Sequence, residues 1–133
     1  MPPESSEKFL AVLHGTNRAY TLAKQYDIKM AFGTDILFSS LLAQAQGATL
    51  VQLERWFTPA EALQMATATN AELLLLTGNR NPYPGALGVV SEGAYADLLL
   101  VDGNPLENLA LVADPEHNML VIMKDGVIYK NIL

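Results

Sequence analysis

Asp35 is the residue of this chain best placed to do chemistry. It closes the run Ile28-Lys29-Met30-Ala31-Phe32-Gly33-Thr34-Asp35, in which a short, largely apolar segment ends abruptly in Gly-Thr-Asp. In a barrel of parallel strands, catalytic groups sit at the carboxyl ends of the strands. A carboxylate at such a position can bind a metal, take a proton from activated water, or both. Gly33 would let the backbone bend without a side chain, and Thr34 could hydrogen-bond behind the carboxylate. The competing reading is structural. Asp is a common helix cap, and Gly33 and Thr34 would then make an ordinary strand-to-loop turn.

One carboxylate does not make a metal site, and partners for it are scarce. The chain has no Cys, which excludes disulfides, thiolate-bound zinc and thiol nucleophiles, and it has two His. His14 lies beside Leu10 and Leu13 in a helical pattern and reads as a buried or half-buried structural histidine. His117 belongs to the turn Asp114-Pro115-Glu116-His117-Asn118 and reads as solvated. The spacing of Asp114, Glu116 and His117 matches no strong metal motif. Asp97 and Asp102 are far in sequence from Asp35, which leaves them turn and strand-edge roles. Trp56-Phe57 is expected to pack a helix corner, and Glu54-Arg55 to form a solvated helix face. No Ser-His-Asp arrangement or phosphate-cradling glycine loop is present.

The elements that must position Asp35 can be read from pattern. Phe9, Leu10, Leu13, Tyr20 and Ala23 recur at helical spacing and predict a helix over about 6–26, interrupted near His14-Gly15. Ile28 to Phe32 predicts a strand buried on both faces, since only Lys29 is polar. A helical region follows over about 41–56, with a break near Gly47. Thr58-Pro59-Ala60-Glu61 is a helix start, with Thr58 as cap, Pro59 in the first turn and Glu61 closing the capping box. That helix is expected to reach about Ala68. Thr69 or Asn70 can cap a further short helix that Gly78 stops.

After the turn-rich Asn79-Arg80-Asn81-Pro82-Tyr83-Pro84-Gly85 the character becomes β. Strands are predicted at Gly88–Val90, Asp97–Val101 and Met119–Met123, the last turning at Asp125-Gly126 into Val127-Ile128-Tyr129. Asp-Gly between two β-branched runs is a strong hairpin signal. Residues 1–78 are therefore expected as helix and parallel strand, and 79–133 as β. A lone two-sided strand needs neighbours for its backbone groups. The expectation is a fragment, or an obligate partner of another chain.

The chain has 133 residues, half of them hydrophobic, and a net charge of −6. That is enough for a real core. The acidic balance argues against nucleic acid and against an anionic membrane surface as partner. No apolar run is long enough to span a bilayer, and the polar start lacks signal-peptide character, so a cytoplasmic location is expected.

Taken in order, these motifs resemble the C-terminal part of the metal-dependent amidohydrolases. Ile28 to Asp35 is similar to the last barrel strand of that family, whose closing Asp binds metal and shuttles protons. Thr58-Pro59-Ala60-Glu61-Ala62-Leu63 and Ala66 to Leu74 look like the helices after it. Gly85-Ala86-Leu87-Gly88, Glu92-Gly93, Ala96-Asp97-Leu98 and Val101 to Pro105 resemble the C-terminal β-sandwich segment, and Met123 to Tyr129 its closing hairpin. Within the family, the imidazolonepropionase-like and Xaa-Pro-dipeptidase-like group is nearest.

The resemblance implies an α/β fold: the end of a (β/α)8 TIM-type barrel over 1–78, joined over 79–133 to strands of a composite β-sandwich. It implies a hydrolase of C–N bonds in amide, cyclic amide or dipeptide-like small molecules. Asp35 is then the one catalytic and metal-binding residue present. The implied cofactor is Zn2+, one or two ions in the intact parent, not held by this chain alone. The family's His-x-His, bridging Lys and two later His ligands are absent. The missing partner is an N-terminal barrel segment or another copy of the chain, and an oligomer is expected. One alternative is a non-catalytic, self-associating or partner-binding module. Another is two chains that assemble into one active barrel.

Overall fold

The structure is a computed structural model that describes residues 3–133, with side chains from residue 6 onward. Two compact units divide it, residues 1–30 and 31–133.

The first unit is one helix, α1 (Pro3–Gln25), closed by a turn at Tyr26-Asp27. His14 and Gly15 do not interrupt it. A single Gly inside a helix costs about 1 kcal/mol, which a helix of 23 residues absorbs. Leu13 and Tyr20 are half-buried and Ala23 is buried, but Phe9 is 60% and Leu10 50% exposed. Asp27, with φ of 50°, makes the left-handed step after the helix.

The expected strand at Ile28–Phe32 is irregular chain, not a strand. The reason is the one that made its isolation conspicuous. A strand exists through its ladder, and no neighbouring strand pairs with it among the described residues.

In the second unit, α2 (Ser40–Gln44), α3 (Gln46–Val51) and a 3-10 turn (Gln52–Arg55) replace the single helical region. The break falls at Ala45, ahead of the expected Gly47. Gly47 serves a different purpose. It lets α3 lie directly on the 3-10 turn Leu109–Ala113. A Cβ at Gly47 would clash with the Val112 carbonyl oxygen and lie 2.7 Å from its carbon and 3.0 Å from Ala113 Cα.

Next come α4 (Pro59–Ala66) and α5 (Ala68–Leu75). The capping box of α4 is complete. Glu61 N–H donates to Thr58 Oγ1 at 3.3 Å, and Thr58 N–H donates to Glu61 Oε2 at 2.7 Å. The start of α5 differs from expectation: Thr67 occupies the cap position without a side-chain cap bond, so neither Thr69 nor Asn70 caps the helix. Thr69 is buried, and Asn70 is engaged elsewhere.

The expected strand at Gly88–Val90 does not form. Gly88 has φ of 69° and packs on the α4–α5 junction, where a Cβ would lie 2.5 Å from the Thr67 carbonyl oxygen. That backbone is incompatible with an extended strand. Instead Ala86 bridges Ala94, and Tyr83 meets Tyr95 edge to face at 5.9 Å.

One antiparallel sheet of order β1-β2-β3 follows, formed by β1 (Leu98–Val101), β2 (Met119–Lys124) and β3 (Val127–Asn131). Leu100 pairs with Val121, and Lys124 with Val127 across the hairpin. Asp125 and Gly126 have φ of 49° and 75°. Positive φ at both central residues matches the right-handed twist of the strands. The core gathers Leu50, Leu53, Phe57, Ala62, Met65, Leu109, Val112 and Met119, with Ala62 and Leu109 fully buried. Phe57 thus joins the core as expected, with Trp56 half-buried beside it. Among the described residues no helix is long and apolar enough to cross a membrane.

Candidate functional site

Asp35 is exposed and has φ of 51°. Asp tolerates this left-handed conformation better than most residues, because its short polar side chain can bond locally. Here it does not serve as the cap of the next helix. Ser39 does, with its Oγ accepting from Leu42 N–H at 3.2 Å. The structural explanation offered for Asp35 by its type is therefore taken by another residue.

The chain just before Asp35 is held in an unexpected way. Phe32 N–H donates to Asn70 Oδ1 at 3.0 Å, and Asn70 Nδ2 donates back to the Phe32 carbonyl at 3.0 Å. Asn70 Nδ2 also reaches the Ala66 carbonyl at 3.3 Å, and Phe32 N–H lies 3.3 Å from the Met65 carbonyl. The side-chain amide supplies Phe32 with the reciprocal pair of bonds that a neighbouring strand residue would supply. Gly33 and Thr34 lead from this anchored residue to Asp35. Asn70 escaped sequence reasoning because an Asn near a helix start reads locally as a cap.

The other candidates are scattered. His14 is exposed on α1, not buried or half-buried as expected. Apolar neighbours in sequence do not by themselves bury a residue. Asp97 accepts from Asp125 N–H at 2.6 Å and lies 4.0 Å from Lys124 Nζ, so it ties the hairpin turn to β1. Asp102 sends its N–H to the Asn118 carbonyl at 2.8 Å. Glu54 and Arg55 are exposed. A cavity of about 490 Å³ is lined by Phe32, Thr34, Ala43, Leu50, Leu63 and Met119 among others, none of them a carboxylate or imidazole.

His117 is ordered within the short helix α6 (Pro115–Asn118). Asp114 caps it, accepting from His117 N–H at 3.2 Å and pairing with His117 Nδ1 at 2.9 Å. The hydrogen bond from His117 lowers the Asp114 pKa, and the bond to Asp114 raises that of His117. The carboxylate contributes stability above its unfolded value of 3.8 and loses it as pH falls through the lower folded value. The imidazole contributes below 6.5 and loses it as pH rises through the higher folded value. Both contributions coexist between those limits. We expect His117 to titrate above the ordinary imidazole range by NMR and Asp114→Asn to return it there. An unshifted His117 in the unmodified protein would contradict the pairing.

No group of three or more His, Asp or Glu able to hold a metal occurs among the described residues. Zinc sites need three or four protein ligands. The donor set of this chain alone does not fit such an ion.

The amidohydrolase family matches residues 5–129. No curated protein matches the chain. Among solved structures, a protein described as an amidohydrolase is 33% identical with a TM-score of 0.79, covering 99% of this chain and 30% of that one. A prolidase complexed with N-methylphosphonate-L-proline is 31% identical with a TM-score of 0.77, again over 99% of this chain and 30% of the other. The ochratoxinase of A. niger is 26% identical with a TM-score of 0.79, over 98% of this chain and 28% of its own. The chain therefore spans less than a third of the length of the structures it matches. Aligned with one family along nearly its whole length, this chain belongs to the amidohydrolases.

Proposed function

We propose that the chain is the C-terminal segment of a metal-dependent amidohydrolase that hydrolyses C–N bonds of amide, cyclic amide or dipeptide-like substrates. The observation that carries this reading is Asp35. It follows a segment anchored at Phe32, adopts a left-handed backbone, and is released from helix capping by Ser39. Within a complete (β/α)8 barrel, residues 28–35 would form the last strand and place Asp35 at its carboxyl end. Residues 1–78 would complete the barrel wall, and 79–133 would belong to a composite β-sandwich.

Asp35 would serve as one metal ligand and as the proton acceptor. The remaining ligands would come from a segment outside this chain, with Zn2+ as the metal. A prolidase bound to a proline-based phosphonate among the similar structures supports the dipeptide-like end of the substrate range.

The intact parent tests this directly. Purified parent should hydrolyse acyl-proline dipeptides or related amides, lose turnover on chelation, and regain it with zinc. The isolated chain should bind no stoichiometric zinc. A parent that hydrolyses no C–N bond, or that is indifferent to exhaustive chelation, would overturn the reading.

One set of observations favours a second reading, a self-associating module. Leu73, Leu75 and Leu76, adjacent at the end of α5, are 53%, 65% and 82% exposed. Such surfaces mark interaction sites. Sedimentation separates the two: a stable, metal-free oligomer of this chain, with no longer parent in the source, supports the module.

A further inference from the structure

We propose that Asn70 is a positioning residue that sets the direction of the Gly33-Thr34-Asp35 segment by acting as a one-residue substitute for a neighbouring strand. The inference rests on the reading of Asp35 as the site carboxylate.

A strand residue exchanges N–H and C=O bonds with its neighbour, and where the ladder stops these groups need another partner. Phe32 lies three residues before Asp35, in chain that belongs to neither helix nor strand. Its N–H and C=O both meet the amide of Asn70, at 3.0 Å each, across 38 positions of sequence. A carboxamide offers a donor and an acceptor side by side in one plane. Among the common side chains, only Asn and Gln carry that pair, and Asn has one fewer rotatable bond. The amide is itself held, because Nδ2 also reaches the Ala66 carbonyl at 3.3 Å.

The location of Asn70 adds to this. It sits in the first turn of α5, one residue after buried Thr69, next to the kink at Thr67. Gly88 packs against that kink. The amide is therefore mounted on a packed part of the fold. Phe32 is fixed by it at both polar groups, and only Gly33 and Thr34 separate it from the left-handed Asp35. Sites displaced by about 1 Å lose on the order of 10²-fold in rate, so an anchor this close would bear on turnover more than on substrate binding.

The experiment uses the intact parent and three variants. Asn70→Leu keeps the volume and removes both bonds to Phe32 and the one to Ala66, leaving Phe32 N–H only the Met65 carbonyl at 3.3 Å. Asn70→Asp keeps the acceptor for Phe32 N–H and loses the donor. Asp35→Asn reports on the site itself. Hydrogen exchange of peptides covering 31–36 is measured in metal-free and zinc-loaded protein, beside kcat and KM.

Asn70→Leu should raise exchange in 31–36 with α4 unchanged. It should lower kcat about tenfold or more and leave KM within about threefold. Asn70→Asp should fall between Leu and the unmodified protein in both readouts. Unchanged exchange in Asn70→Leu overturns the clamp. Raised exchange with unchanged kcat, while Asp35→Asn is inactive, overturns the positioning role. If Asp35→Asn is active, the underlying functional reading fails, and the exchange data still decide the clamp. Should Asn70→Leu not fold, the unmodified protein is decisive. Slow exchange of the Asn70 side-chain amide supports the clamp, and fast exchange overturns it.

Discussion

Asp35→Asn in the intact parent is expected to lower kcat by about 10³-fold or more, with the fold preserved. The substitution is chosen for its geometry. Asp35 has φ of 51°, and Asn is among the few residues that accept this conformation. It keeps the shape of the carboxylate and removes its charge and its ability to take a proton. Asp35→Ala would be a poorer test, because backbone strain at positive φ would mix with lost chemistry. Asp35 is exposed, and Ser39 provides the cap of α2, so loss of the carboxylate removes no stabilising contact identified in the fold. In the metal-free parent, circular dichroism and the denaturation midpoint should stay within error of the metal-free unmodified protein, since only metal-linked stability depends on the lost ligand. Steady-state kinetics on an amide substrate then read the combined loss of a metal ligand and of the proton acceptor. Turnover near the normal rate would defeat the assignment of Asp35.

Gly47→Ala should destabilise the protein by about 3 kcal/mol, a large effect for one added methyl group. The new Cβ would clash with the Val112 carbonyl oxygen and lie 2.7 Å from the carbonyl carbon. Both are backbone atoms, so no side chain can rotate away. Relief requires α3 to withdraw from the 3-10 turn Leu109–Ala113. That would loosen the core around Leu50, Val112 and fully buried Leu109. Helix propensity acts in the opposite direction, because Ala is favoured over Gly by about 1 kcal/mol in a helix interior. The sign of the result therefore discriminates. Close packing predicts destabilisation, and a merely tolerated glycine predicts a small gain. Equilibrium denaturation of the protein carrying the substitution measures it, and a stabilised variant would show that α3 does not rest on that turn.

Much of the architecture was readable where its causes are local. The capping box of Thr58 and Glu61 involves groups three residues apart. The Asp125-Gly126 hairpin requires positive φ at two adjacent positions, and the residue types announce it. The strands expected at Asp97–Val101, Met119–Met123 and Val127–Tyr129 appear as β1, β2 and β3 with ends shifted by at most two residues. The family, too, was visible in the order of four short motifs, and its match over 5–129 agrees.

The features that escaped depend on distant backbone. Ile28–Phe32 has the composition of a strand, yet strand formation requires a ladder partner that composition cannot supply. Gly47 reads locally as a weak point in a helix, and Gly88 reads as part of a strand. Each is in fact a place where two segments approach too closely for a side chain, Gly47 at Val112 and Gly88 at Thr67. Asn70 reads locally as a cap, but its amide bonds to Phe32, 38 positions away. Residue type and spacing thus named Asp35 as the candidate carboxylate, since its chemistry is intrinsic to the side chain. The Ser39 cap is local, three residues from Leu42, but only the tertiary structure decided that Asn70 holds the segment leading to Asp35, because those hydrogen bonds exist only once groups 38 positions apart are brought to 3.0 Å of one another.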